Sequence, residues 1–185
     1  RIQFSEDFQE GIKKTIYDYN PASPSGLSHP HIRDLLEESA ESIWIATMSG
    51  LNNLNLKTGV NRQIWAQPNI PDQLSSNLIH CISSDRLGNI WLGLDKGINR
   101  INLAESGFQG MYLQSSERAN GSVSSLVKNA AGDGLWISSK GEGLFYLPLS
   151  QGQEQDQIVQ NYRFSAQKMG ELSDFISGLL LDQQG

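Results

Sequence analysis

Apolar positions in this chain are grouped in short runs bounded by Gly, Asn, Asp, Ser and Pro, and the runs repeat. Ile43-Trp-Ile-Ala46 returns as Ile90-Trp-Leu-Gly93 and again as Leu135-Trp-Ile-Ser138. Each copy is apolar at successive positions and ends on a small residue, the pattern of a strand covered on both faces. A few residues later a glycine (Gly50, Gly97 or Gly143) opens a second run: Leu51-Asn-Asn-Leu-Asn-Leu56, Ile98-Asn-Arg-Ile-Asn-Leu103 and Leu144-Phe-Tyr-Leu-Pro-Leu149. Upstream of each tryptophan stands a third pattern, Ile32-x-x-Leu35-x-x-Glu38, Ile79-x-x-Ile82-x-x-Asp85 and Val123-x-x-Leu126-x-x-Asn129, which appears a fourth time as Ile176-x-x-Leu179-x-x-Asp182. A spacing of three hints at helix, but seven residues between turn signals favour a short strand with one face more buried than the other.

Two rulers give the period. Trp44, Trp91 and Trp136 are 47 and 45 residues apart, and Gly50, Gly97 and Gly143 are 47 and 46 apart. A repeat of roughly 40 to 50 residues built from short strands is the signature of β-propeller blades, whereas helical repeats of that length need a sustained 3.6-residue period, which no stretch here shows. The expected fold is therefore all-β, with strands A, B and C of each blade in the order just described. A less regular, half-exposed strand D follows, marked by an aromatic: Tyr17 or Tyr19, Trp65, Tyr112, and Tyr162 with Phe164. Between A and B, Asp85-Arg-Leu-Gly-Asn89 reads as a tight turn in which Gly88 supplies positive φ and Asp85 bonds the backbone ahead of it. Glu41 takes the glycine's place in the first copy, and the third carries one extra residue before Trp136. Each Trp is expected to fill the space between its own blade and the next, with Ala46, Gly93 and Ser138 where backbones crowd. The rival reading of the tryptophans is an aromatic platform for sugars.

These assignments divide the chain into blades at 31–67, 78–114 and 122–165, a last strand of a preceding blade and a loop at 1–30, and the first strand of a fourth blade at 175–185. Pro148 ends the third strand C late, and 151–157 is polar low-complexity sequence suited to an exposed loop. Propellers close with typically four to eight blades. The pattern is thus that of a β-propeller fragment, about three four-stranded blades plus a leading strand D and a trailing strand A. Open edges of this kind are templates for pairing, so self-association through them is an expected interaction.

Composition narrows the partners. A formal charge of −6 and a pI near 5.0, with no cluster of Lys and Arg, argue against a nucleic-acid-binding face. Cys81 is the only cysteine, so neither an internal disulfide nor a cysteine-based metal site is available. No apolar run approaches the roughly 18 residues of a membrane span, and the N-terminal residues lack the basic and apolar regions of a signal peptide.

The repeat itself is recognisable. Asp85-x-x-Gly88-Asn-Ile-Trp91-Leu-Gly-x-x-x-Gly97-Ile-Asn-Arg-Ile resembles the two-component regulator propeller repeat, whose pattern is an Asp, a Gly, an apolar-Trp pair, a small residue and a Gly-Leu-x-x-apolar tail. The resemblance covers about three copies from Ile32 to Ser165, with a fourth beginning at Ile176. Ala46 and Ser138 replace the usual small glycine, and Glu41 the turn glycine. The resemblance implies a non-catalytic, ligand-binding sensory ectodomain of a bacterial membrane receptor, placed in the periplasm ahead of a transmembrane helix. Its output would be a histidine kinase, with or without a receiver domain, or a diguanylate cyclase, so the rest of the parent receptor is an implied partner.

Catalytic, cofactor and metal residues are not expected. His29-Pro-His31 is the only close His pair, and no carboxylate or thiol stands at a supporting ligand spacing. No Gly-x-Ser-x-Gly elbow occurs, and Gly141-Glu-Gly143 is too short for a phosphate loop. If a small ligand of carbohydrate or peptide type binds, the D-to-A and B-to-C connections should share the face that holds it, because a rigid scaffold carries variable loops there. That places His29, His31, Asp95, Lys96, Arg118, Lys140 and Glu142 in range, each with the plainer reading of a solvated loop side chain. The alternatives to a sensor are a structural dimerisation scaffold and, behind it, a propeller lyase dependent on His29 or His31.

Overall fold

The computed structural model describes residues 15–20, 22–23, 25–67, 70, 73–103, 107–111, 121–149, 160–162 and 176–181. Among them are twelve β-strands and no helix: β1 (Ile32–Ser39), β2 (Ser42–Thr47), β3 (Leu51–Asn55), β4 (Asn61–Ile64), β5 (Ile79–Ser84), β6 (Ile90–Leu94), β7 (Gly97–Asn102), β8 (Gly107–Met111), β9 (Ser122–Lys128), β10 (Gly134–Lys140), β11 (Gly143–Pro148) and β12 (Gln160–Tyr162). They form three four-stranded antiparallel meanders, β1–β4, β5–β8 and β9–β12, each in sequence order. This is the all-β architecture of successive propeller blades, with strands A, B and C where the repeats put them.

The three sheets are built to one register. Trp44 lies opposite Asn53, Trp91 opposite Arg100 and Trp136 opposite Tyr146. Because side chains alternate faces along a strand, each second strand sends its Trp one way and its flanking apolar residues the other. Trp44 and Ala46 join one core with Ile79, Ile82, Ile90, Leu92 and Leu94 of the second sheet. Trp91 joins the next core with Val123, Leu126, Leu135 and Ile137 of the third sheet. The far face of the first sheet is covered locally, Leu27 and Tyr17 packing on Ile43, Ile45 and Leu54. Trp136 is half-buried and stacks on Tyr146 and Tyr162, with ring centroids 4.7 and 5.7 Å away.

The small residue ending each second strand has its physical reason in the same packing. A Cβ at Gly93 would lie 2.3 Å from Cys81 Sγ and 2.5 Å from Val123 Cγ1, so nothing larger fits between the second and third sheets. Ala46 and Ser138 are fully buried. The turn before Trp91 is held as its residues suggest. Asp85 Oδ1 accepts from Leu87 N at 2.8 Å and Asn89 N at 3.0 Å, while Oδ2 accepts from Trp91 Nε1 at 2.9 Å, and Gly88 adopts φ 83°. Asn129 does the same work in the third sheet, accepting from Asp133 N and Gly134 N. In the first sheet Glu38 reaches instead to Ser42 and Asn53, and Trp44 Nε1 is buried without a hydrogen-bond partner.

Some expected details differ. Among the described residues, 15–18 join no ladder, and the leading aromatic stretch contributes a single parallel bridge, Tyr19 with Leu27. Residues 176–181, where the spacing predicts a fourth first strand, also join no ladder among the described residues; the seven-residue pattern is shared, but a strand needs a hydrogen-bonded neighbour. Trp65 lies one residue past β4 rather than inside it. It packs over the left-handed Gly50, whose added Cβ would come within 3.0 Å of Trp65 Cε3. Tyr112 and Phe164 lie outside the described residues.

Candidate functional site

In all three sheets the start of the first strand and the turn after the second strand emerge on one side, because Ile32 lies opposite Thr47, Ile79 opposite Leu94 and Ser122 opposite Lys140. The D-to-A and B-to-C connections therefore share a face. Two buried asparagines of the third strands strap this face down. Asn52 Oδ1 accepts from Ser28 N at 2.9 Å and its Nδ2 donates to Ser28 Oγ at 2.8 Å; Asn99 Oδ1 accepts from Ser75 N and Ser75 Oγ at 2.9 and 3.0 Å. Gly50 N also donates to Asn77 O at 2.8 Å, tying the first B-to-C turn to the next connection. The register-equivalent position in the third sheet is Phe145, whose side chain carries no hydrogen-bonding group for such a strap.

Each first strand carries a β-bulge at the same place. Pairing skips from Ile32 to Asp34, from Ile79 to Cys81 and from Val123 to Ser125, leaving Arg33, His80 and Ser124 unpaired. A bulge re-aims the side chain of its extra residue. Since β5 packs beside both β1 and β9, the three bulged residues come from adjacent strands. Arg33 Nη2 is 3.4 Å from His80 Nδ1. A guanidinium only donates, so Nδ1 accepts and the proton of the neutral imidazole sits on Nε2. Burial, then Arg33 and Lys140, hold the His80 pKa below its ordinary value, against an opposing pull from Asp95. Ser124 Oγ donates to the Ile176 carbonyl and lies 2.9 Å from Ser138 Oγ.

Around this row the residues singled out in the sequence are distributed unevenly. Asp95 and Lys140 come together around His80, the first half-buried and the second exposed. Lys96 is exposed beside Asp95 in the two-residue turn of the second sheet. His29 and His31 meet each other, ring centroids 5.1 Å apart, and His29 Nδ1 accepts from His31 N at 3.0 Å. Glu142 is not a solvated loop side chain. It is buried, and a Cβ at Gly121 would lie 2.6 Å from its Cγ, so it packs under the third sheet's incoming connection. Arg118 lies outside the described residues. Among those described, no group of three or more His, Cys, Asp or Glu could hold a metal ion. Sequence reasoning passed over Arg33, His80 and Ser124. A signal was there: the residue after Ile32, Ile79, Val123 and Ile176 is polar in every copy, a column that a strand buried on one face does not require.

Residues 73–96 match the family model described as two component regulator propeller. The chain carries a two component regulator propeller repeat. The matched segment takes in the Ser75 strap, the His80 bulge, the Asp85 turn, Trp91, Asp95 and Lys96. No curated protein sequence matches the chain significantly. Among solved structures, it is similar to the extracellular domain of a hybrid two component system from B. thetaiotaomicron. That likeness has a TM-score of 0.63 at 20% identity, over 78% of this chain and 20% of that one. The extracellular domain of a one component system from the same organism gives 0.60 at 17% identity, over 84% of this chain and 25% of that one. Virginiamycin B lyase from Staphylococcus aureus gives 0.52 at 14%, over 71% and 41%. The chain thus spans a fifth to a quarter of the length of the two extracellular domains, and at these identities the likeness is one of fold.

Proposed function

We propose that this chain is part of a non-catalytic sensory propeller on the extracytoplasmic side of a bacterial membrane receptor, in the periplasm, with a histidine kinase or diguanylate cyclase as output. The observation that carries the reading is the two component regulator propeller match over residues 73–96. The fold likeness to extracellular domains of two component and one component systems agrees with it. A sensor needs a ligand-accessible face on a framework that moves as a unit. The strapped D-to-A connections and the turns at Asp95-Lys96 and 140–142 provide such a face. The cores between sheets give it a mechanical link to neighbouring blades, since stacked repeats communicate through nearest-neighbour interfaces.

In this reading a small ligand of carbohydrate or peptide type engages side chains of adjacent sheets, changes their mutual packing, and the rest of the parent receptor reads that change. The test is a thermal-shift screen of the chain against glycans and peptides, followed by assay of the parent's kinase or cyclase activity in membranes. Stabilisation by one compound that also changes output, without turnover, is the expected result. Mass-dependent self-association with silence across the panel would favour the dimerisation scaffold instead. Product formation lost in His29→Ala or His31→Ala would favour a lyase.

A further inference from the structure

The bulge row suggests what kind of ligand this face takes. We propose that Arg33, His80 and Lys140 form a binding site for an oxyanion group, carboxylate or sulfate, carried by the sensed ligand. The proposal rests on the sensory reading and narrows it to one chemical class and one place.

Three observations converge there. The first is the equivalent bulge in all three first strands, which lifts Arg33, His80 and Ser124 out of the regular pleat at neighbouring positions of one face. The second is charge. The chain as a whole is at −6, yet the only ion pair among the described residues is Lys57 with Glu41, so Arg33 and Lys140 have no carboxylate partner there. The third is donor geometry. Arg33 spends one N–H on His80, its remaining fork suits two-point recognition of a planar or tetrahedral oxyanion, and His80 offers its Nε2–H beside it.

The nearby carboxylates do not cancel this arrangement equally. Asp34, next to Arg33, is committed to the backbone, Oδ1 accepting from Leu35 N and Oδ2 from Ile82 N, both at 2.9 Å. Asp95 faces His80 from the turn after β6, with its Oδ1 buried and without a hydrogen-bond partner, and its field favours the imidazolium. His80 is therefore poised between burial, Arg33 and Lys140, which keep it neutral, and Asp95, which would charge it. An oxyanion bound against Arg33 and Lys140 offsets the two cations and adds to the pull of Asp95, so His80 takes up a proton at Nδ1 as the anion binds, and the Arg33 N–H that Nδ1 had accepted turns to the anion. Affinity should rise as pH falls through the His80 pKa, and binding should be linked to proton uptake.

The experiment is titration calorimetry of the whole chain with sodium glucuronate and sodium sulfate as probes and glucose as the neutral control, at pH 5.5 and 8.0. Expected are binding of an anionic probe that tightens at the lower pH, with proton uptake. Arg33→Ala and Lys140→Ala should each weaken it on the order of tenfold. In His80→Gln, which keeps a donor, binding should persist without its pH dependence. Both cations are exposed, so their replacement leaves the cores intact, and Lys57→Ala serves as a control expected to bind normally. Affinity unchanged from the parent chain in Arg33→Ala and Lys140→Ala, glucose binding as well as glucuronate, or no binding of either anion overturns the proposal. A neutral glycan that stabilises the chain regardless of Arg33 would overturn it while leaving the sensory reading in place. Failure of every glycan, peptide and anion would count against both.

Discussion

At the scale of single residues, each repeat is governed by a few side chains whose neighbours leave no substitute. Asp85 joins a turn to the tryptophan that follows it, accepting from two backbone amides and from Trp91 Nε1. Asp85→Ala strands a buried indole N–H and is expected to cost about 1–3 kcal/mol. Asp85→Asn should cost less, because an amide oxygen can still hold the two turn amides, as Asn129 does in the third sheet. Urea unfolding of the two variants reads the difference. Gly93 fails differently: Gly93→Ala drives a methyl into Cys81 and Val123 and is expected to lower stability by about 1–3 kcal/mol through overpacking. Cys81 itself is buried, and desolvation, reinforced by Asp34, pushes its thiol up to about 12. It should resist thiol reagents in the native state and react once unfolded. A thiol whose folded pKa is raised contributes stability below its unfolded pKa, near 9, and that contribution is lost as pH rises toward 12. Cys81→Ala should flatten this alkaline slope, as measured by unfolding across pH 8 to 11.

At the scale of elements, the repeat pattern fixes strands more firmly than it fixes their ends or their irregularities. Periodicity placed strands A to C of each sheet correctly, since burial on both faces leaves an unmistakable run around each tryptophan. It missed the bulges, because inserting one residue leaves composition unchanged and shows only when partner strands are aligned. It also read strand D one residue long at Trp65, whose aromatic ring is explained by packing on Gly50 rather than by pairing. The straps were equally hidden. In the sequence Asn52 and Asn99 are simply polar positions of strand C, yet both are fully buried and hold the connections at Ser28 and Ser75. Asn99→Ala should therefore free the Ser75 amide to exchange with solvent far faster while the β5–β8 ladder stays protected, as hydrogen exchange would show.

At the scale of the whole molecule, stability resides in the layers between sheets. Trp44 and Trp91 fill two such layers, while Trp136 lies half-buried against Tyr146 and Tyr162 of its own sheet. Trp44→Ala and Trp91→Ala are expected to destabilise the fold by about 3–5 kcal/mol each, and Trp136→Ala distinctly less, in denaturant unfolding followed by circular dichroism. Equal effects at all three would show that the repeats are coupled in a way the packing does not suggest. If the proposed site is right, an oxyanion held by Arg33 of β1, His80 of β5 and Lys140 of β10 would bear on strands of three different sheets at once.

What the sequence determined alone is the repeat: its period, its strand order, the tryptophans packed between the first and second and the second and third sheets, the small residues that end each second strand, and the face on which connections and turns gather. Each leaves a mark within a few residues, because burial and turn geometry act locally on residue type. Only the tertiary structure decided which polar side chains meet. Arg33, His80, Asp95 and Lys140 follow one another at intervals of 47, 15 and 45 residues, and Glu142 looks like any loop carboxylate until its burial is seen. Their proximity comes from the stacking of one sheet on the next and from a bulge repeated in register, and neither is encoded in any single stretch of chain.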